Sequence, residues 1–152
     1  MATDGPEEVV RNADVLITAT PSTEPIVRSE WVREGTHISS IGADDPKKVE
    51  LDAATFKKAD KIVIDSEFAL TKIGQIAIPI EQGILKPEDI YGTIGQIVAG
   101  LKPRRQNDQE ITIFASEGTN MQTASVAYKV YRKVKEKGLG IETSTLFPYF
   151  LI

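Results

Sequence analysis

Apolar positions in this chain gather into short continuous runs separated by polar links that carry glycine and proline. Val15-Leu16-Ile17-Thr18-Ala19 and Lys61-Ile62-Val63-Ile64-Asp65 are two such runs, Glu110 to Phe114 is a third, and the first half of Thr36 to Asp52 is a fourth. Each has the length and β-branched character of a strand. The unbroken Val15–Ala19 run predicts a strand buried on both faces of its sheet. Helical signals fall between them. Glu7 to Ala13 follows Asp4-Gly5-Pro6, Ser29 to Glu34 is bounded by a capping serine and Gly35, and Asp52 caps a segment reaching about Lys58. Lys86-Pro87-Glu88-Asp89-Ile90 opens another helix, and Thr93 to Leu101 continues or restarts one. From Met121 to Lys137 apolar residues recur at helical spacing (Ala124, Ala127, Tyr128, Tyr131, Val134), opposite a solvated face of Lys129, Arg132, Lys133 and Lys135. Ser66 to Gly83 is less regular. Pro79 would confine Ile76–Ile80 to an edge strand, so an irregular or helical connection is the better reading. Strands alternating with helices through short links predict an α/β class, a doubly wound parallel sheet with flanking helices.

Within that pattern Thr36–Asp52, THISSIGADDPKKVELD, is the most informative stretch. A buried strand delivers Gly42, two adjacent acids, Pro46, two lysines and Glu50 to its carboxyl end. In open parallel sheets ligands bind outside the carboxyl ends of the strands, which makes Asp44 the first candidate for chemistry. The alternative is a polar loop leading to Asp52 as helix cap.

Composition narrows the classes. The 152 residues are 41% hydrophobic and 26% charged, enough for one ordinary domain. No run has the length of a membrane span, and the N-terminus lacks the features of a leader; a soluble, cytoplasmic protein is expected. With no cysteine, disulfides, thiolate zinc sites and a cysteine nucleophile are excluded. His37 is the single histidine, so no histidine-based metal cluster forms, and a packed or hydrogen-bonded role is expected for it. Net charge is −4, with basic residues scattered apart from Lys102-Pro103-Arg104-Arg105 and Arg132 to Lys137, which argues against a nucleic-acid partner. No glycine-rich GxGxxG or Walker-type turn is present to receive a pyrophosphate.

Three stretches taken in order, ADVLITATPSTEPIV from Ala13, EWVREGTHISSIGADDPKKVELD from Glu30 and YGTIGQIVAGLKPRRQNDQEITIF from Tyr91, resemble the ornithine cyclodeaminase and μ-crystallin family, particularly its archaeal alanine dehydrogenase branch. The resemblance implies a Rossmann-like sheet represented by its C-terminal half. The first βαβ half, with its glycine-rich turn, and the N-terminal substrate and dimerisation part would precede it. It implies NAD or NADP as cofactor. Thr20 and Pro21 would lie along the cofactor, Gly42 and Ala43 beside the nicotinamide, and Asp44 would be the catalytic aspartate. Ser116 and Gly118 would be further cofactor neighbours. Lys48 and Glu50 match the end of the family's D-x-P-x-K-x-E stretch, where a local ion pair fixing the loop is expected. Departures are Ala115 in place of a carboxylate, Glu117 introducing one beside it, and Thr123 where aspartate is common.

On this resemblance residues 1–137 form the C-terminal part of an NAD(P)-binding domain, and the apolar tail at 138–152 docks on this or a neighbouring chain. The expected partners are an amino-acid or cyclic-imine substrate and a homo-oligomer or a chain supplying the missing half, with no nucleic acid and no membrane. The functional reading is an oxidoreductase segment working by hydride transfer and inactive alone. The alternative is a non-catalytic, μ-crystallin-like binding or assembly module.

Overall fold

Alternating side chains and slanted parallel ladders determine the centre of this molecule. The computed structural model describes residues 2–43, 45, 47–70 and 74–141. Strands β1 (Val15–Thr18), β2 (His37–Ser40), β3 (Lys61–Ile64), β4 (Gly92–Thr93) and β5 (Thr112–Ala115) form one sheet in the order β1-β2-β5-β3-β4. Every pairing is parallel. Around them lie helices α1 (Pro6–Asn12), α2 (Ala53–Lys58), α3 (Ala77–Glu81) and α4 (Ile94–Val98), with single 3₁₀ turns at Glu67–Leu70 and Pro87–Asp89. Contacts divide the chain into two units, Met1–Gly118 and Thr119–Ile152. The expected α/β parallel sheet with flanking helices is present in the first.

Register assigns the faces. Leu16 pairs with Ile38, Ile38 with Ile113 and Ile113 with Ile62, so these four share one face, joined two residues on by Thr18, Ser40, Ala115 and Ile64. All eight are buried, and Val10 of α1 and Phe56 of α2 belong to the same core. Burying each Ile or Phe of this set contributes about 1.5–3 kcal/mol. The opposite face carries Val15, Ile17, His37, Ser39, Phe114 and Val63. There Val15 and Ile17 remain 63% and 65% exposed. The expectation that this strand is buried on both faces is therefore corrected: β1 is an edge strand, and only Leu16 and Thr18 turn inward.

Two further expectations change. Ser29–Trp31 is a turn rather than a helix, with Trp31 N donating to Arg28 O and Val32 N to Ser29 O. Ser29 caps nothing there; its own N–H donates to Asp52 Oδ2 at 3.0 Å. The Lys86–Ile90 segment tightens to one 3₁₀ turn, and the chain then adds the short strand β4 beside β3, with Tyr91 N donating to Ile62 O. Ile76–Ile80 is not a strand. Ile76 is the N-cap of α3 and the rest lies within it, with Pro79 in the first turn, where its missing N–H is not needed.

Other elements are closed by short-range contacts, the expected cap at Asp52 among them. Asp52 caps α2, its Oδ1 accepting from Thr55 N at 2.7 Å. Gly100, at φ +73°, closes α4 as Leu101 N returns to Gln96 O. The basic Lys102–Arg105 segment is used internally: Lys102 Nζ donates to Tyr91 O, and Arg105 Nη2 to Gly35 O and Asp108 O.

The second unit, taken by itself, is built on α5 (Asn120–Glu136). Thr119 caps it, and Gly138, at φ +62°, comes just after its end. Arg132 pairs with Glu136 one turn on, and Tyr128 and Tyr131 are exposed. The apolar residues at 146–152 lie outside the described residues. Among those described, no helix is long and apolar enough to cross a membrane.

Candidate functional site

Because all strands run in parallel, the turns after β1, β2, β5 and β3 emerge along one edge of the sheet. Those turns begin at Ala19, Ile41, Ser116 and Asp65. Thr20, Pro21, Gly42, Ala43, Ser116 and Gly118, distant in sequence, are thereby brought to this edge, joined by Ile41 N donating to Thr18 O and Ser116 N to Ser40 O, both at 2.9 Å. Pro21 and Gly118 are exposed, Thr20, Gly42 and Ser116 are half-buried, and Ala43 is buried. Asp44 comes directly after Ala43 and lies outside the described residues.

Two carboxylates organise the edge. Glu50 is fully buried, and five donors converge on it. Oε1 accepts from Thr20 N at 2.6 Å and Thr20 Oγ1 at 2.9 Å; Oε2 accepts from Thr18 Oγ1 at 2.7 Å, Ser40 Oγ at 3.0 Å and Gly42 N at 3.0 Å. Burial alone would raise its pKa, but these hydrogen bonds outweigh it and hold the carboxyl below its usual range. Glu50 was expected to fix the loop, and in this structure it binds hydroxyls and amides of β1, β2 and their turns.

Asp65, after β3, does the same for the other pair of strands. Its Oδ2 accepts from Ser116 Oγ at 2.9 Å, Glu117 N at 3.1 Å and Gly118 N at 2.9 Å, while Oδ1 accepts from Ser66 N. Neither role is written in the local sequence, although an acid ending a strand is a usable signal for Asp65. Ala115 is buried within β5, and the Glu117 carboxylate lies against Gly74, where an added Cβ would meet it at 1.5 Å. Thr123 is in the first turns of α5 and exposed.

Thr20 N, Thr20 Oγ1 and Gly42 N thus donate to Glu50, Ser116 Oγ and Gly118 N to Asp65, and Ser116 N to Ser40 O. Among the described residues, Pro21 is exposed, and so is Gly118, where an added Cβ would touch nothing. A shallow hollow lined by Thr20, Pro21, Ser22, Thr23, Glu24 and Ile26 flanks this surface. Among the described residues no group of three or more His, Asp or Glu could hold a metal ion.

His37 lies at the opposite end of the sheet. Its Nδ1 is 2.8 Å from Thr112 Oγ1 and its Nε2 is 3.2 Å from Ser39 Oγ. Burial, and then the charge of Arg105, lower its pKa. This is the hydrogen-bonded structural role expected of it, and it places His37 away from the candidate site.

The family model for ornithine cyclodeaminase/mu-crystallin matches residues 1–138. The chain belongs to this family. An alanine dehydrogenase of Archaeoglobus fulgidus is 47% identical over 135 residues, covering 89% of this chain and 42% of the relative. A Delta(1)-pyrroline-2-carboxylate reductase of Bacillus cereus is 39% identical over 136 residues, with the same coverage. Among solved structures, an archaeal alanine dehydrogenase dimer with bound NAD superposes with a TM-score of 0.85 at 44% identity, over 96% of this chain and 45% of that one. A Thermococcus litoralis Delta(1)-pyrroline-2-carboxylate reductase in complex with NADH and L-proline gives 0.85 at 36% identity, over 93% and 44%. This ornithine cyclodeaminase/mu-crystallin chain therefore spans less than half the length of these relatives.

Proposed function

We propose that residues 1–137 form the C-terminal part of an NAD(P)-binding domain in an oxidoreductase that transfers a hydride to or from an amino acid or a cyclic imine. The observation that carries this reading is the gathering of Thr20, Pro21, Gly42, Ala43, Ser116 and Gly118 along one carboxyl-end edge of the sheet. The NAD- and NADH-bound relatives support it. When bound, the nicotinamide accepts or supplies the hydride. Thr20 and Pro21 would lie along its ribose side, and Gly42 and Ala43 beside its ring.

Asp44 would stand next to the reacting carbon. An anion there stabilises the iminium formed as hydride leaves an amine-bearing carbon, and it exchanges protons with the amine or attacking water. The pyrophosphate turn and the groups that hold the substrate carboxylate would come from a segment preceding this one.

The test is to supply such an N-terminal segment, fused or in trans, and to follow NADH absorbance with alanine, ornithine and cyclic imines. Turnover is expected with at least one of them, and Asp44→Asn should lower it by about 100-fold or more, the range for loss of a proton-transferring group. No absorbance change with any substrate would remove the enzymatic reading. The exposed edge strand β1 favours a second reading, a non-catalytic μ-crystallin-like module whose assembly would be indifferent to Asp44→Asn.

A further inference from the structure

Glu50 occupies a place that loop fixation alone does not explain. Its carboxylate is inside the protein, its five donors come from two different strands and the turns at their carboxyl ends, and Thr18 and Ser40, which supply two of those donors, are themselves buried. Its backbone is held equally firmly. Glu50 N donates to Gln75 Oε1 at 2.8 Å, and Glu50 O accepts from Ile26 N and Val27 N at 2.8 and 2.9 Å. The two turns it joins touch each other: a Cβ on Gly42 would meet Thr20 N at 2.3 Å and Thr20 O at 2.5 Å.

We propose that Glu50 is a positioning residue for the dinucleotide: its buried carboxylate sets the spacing of the Thr20-Pro21 turn against the Gly42-Ala43 turn, and so shapes the surface the cofactor meets. The proposal rests on the dinucleotide-binding function proposed for this edge. One oxygen takes the β1 turn through Thr20 while the other takes Gly42 of the β2 turn, so each turn is referred to the same rigid group. Only an ionised carboxylate accepts on both oxygens from five donors, and its lowered pKa keeps it in that form. Glutamine keeps the length but presents an NH₂ to one set of donors. Aspartate keeps the charge but is one methylene too short to reach both turns.

The experiment is an NADH fluorescence titration of the full 152-residue chain. Glu50→Gln should bind at least about tenfold more weakly, the scale of one lost charge-assisted hydrogen bond, and Glu50→Asp should not restore binding. Phe56→Leu, a core substitution in α2, serves as a comparator for general destabilisation and should bind like wild type once scaled to its folded fraction. Ser40→Ala removes one donor and leaves the carboxylate; it should weaken binding about threefold, and it decides the matter if Glu50→Gln does not fold. Wild-type affinity in Glu50→Gln or in Ser40→Ala, or an equal loss in Phe56→Leu, overturns the proposal while leaving the dinucleotide reading intact. Where the wild-type chain alone does not bind NADH, the same titrations are run with the N-terminal segment supplied, and a wild-type chain that binds in neither form overturns that reading, and the proposal with it.

Discussion

Side chains in this protein do their most consequential work as hydrogen-bond acceptors. Asp52 receives Thr55 N and Thr55 Oγ1 on one oxygen and Ser29 N on the other, so it caps α2 and ties the Ser29 turn to it. Asp52→Ala should cost about 1–2 kcal/mol, read in a thermal melt as a midpoint lowered by roughly 3–8 °C. Acidification should weaken the fold in two stages. The His37 pKa is lowered by folding, so the unfolded chain binds the extra proton first; its contribution is full above the ordinary 6.5 and declines as pH falls below it. The Glu50 pKa is lowered too, so its contribution is present above the ordinary 4.5 and is lost at still lower pH. Urea midpoints measured from pH 8 to pH 3 should show both declines, and His37→Gln should remove the first.

At the scale of elements, short strands are made specific by the turns at their carboxyl ends. β1 and β2 are four residues each, and their turns are close enough that Gly42 admits no side chain. Gly42→Ala should therefore destabilise by about 1–3 kcal/mol, the range for overpacking where backbone must move. A melting temperature equal to wild type would show that the two turns separate freely. Similar economy forms β4 and α4, where Thr93 N donates to Gln96 Oε1 and Gln96 N to Thr93 Oγ1. That Thr-x-x-Gln spacing is a capping box visible in the sequence. The two-residue strand before it is not visible, because it is recognised only by pairing with Val63 and Ile64.

For the molecule as a whole, the open face and edge of the sheet matter most. Val15 and Ile17 expose apolar surface on a strand whose backbone groups have, among the described residues, a neighbouring strand on one side only. Exposed edges of this kind pair with further strands unless they are covered. Light scattering on the 152-residue chain should report a dimer or larger assembly, and an N-terminal segment that covers β1 should suppress it. A clean monomer at high concentration would remove the basis for assembly through this edge.

The strand runs, the cap at Asp52 and the helix ends at Gly100 and Gly138 were determined by the sequence itself, because each depends on residues within a few positions of one another. The same locality made the α/β class legible, and the ordered stretches carried the family. Tertiary structure alone decided the rest. It inserted β5 between β2 and β3, left β1 at an edge of the described sheet with Val15 and Ile17 exposed, and turned Ser29–Trp31 into a bend held by Asp52. It also changed the part played by Glu50. Eight to thirty-two positions separate this carboxylate from the groups that bind it, and nothing nearer in the chain marks it as a buried acceptor shared by two strands. Its partners are selected by parallel register, which aligns Thr18 with Ser40, and register is a property of strands once paired.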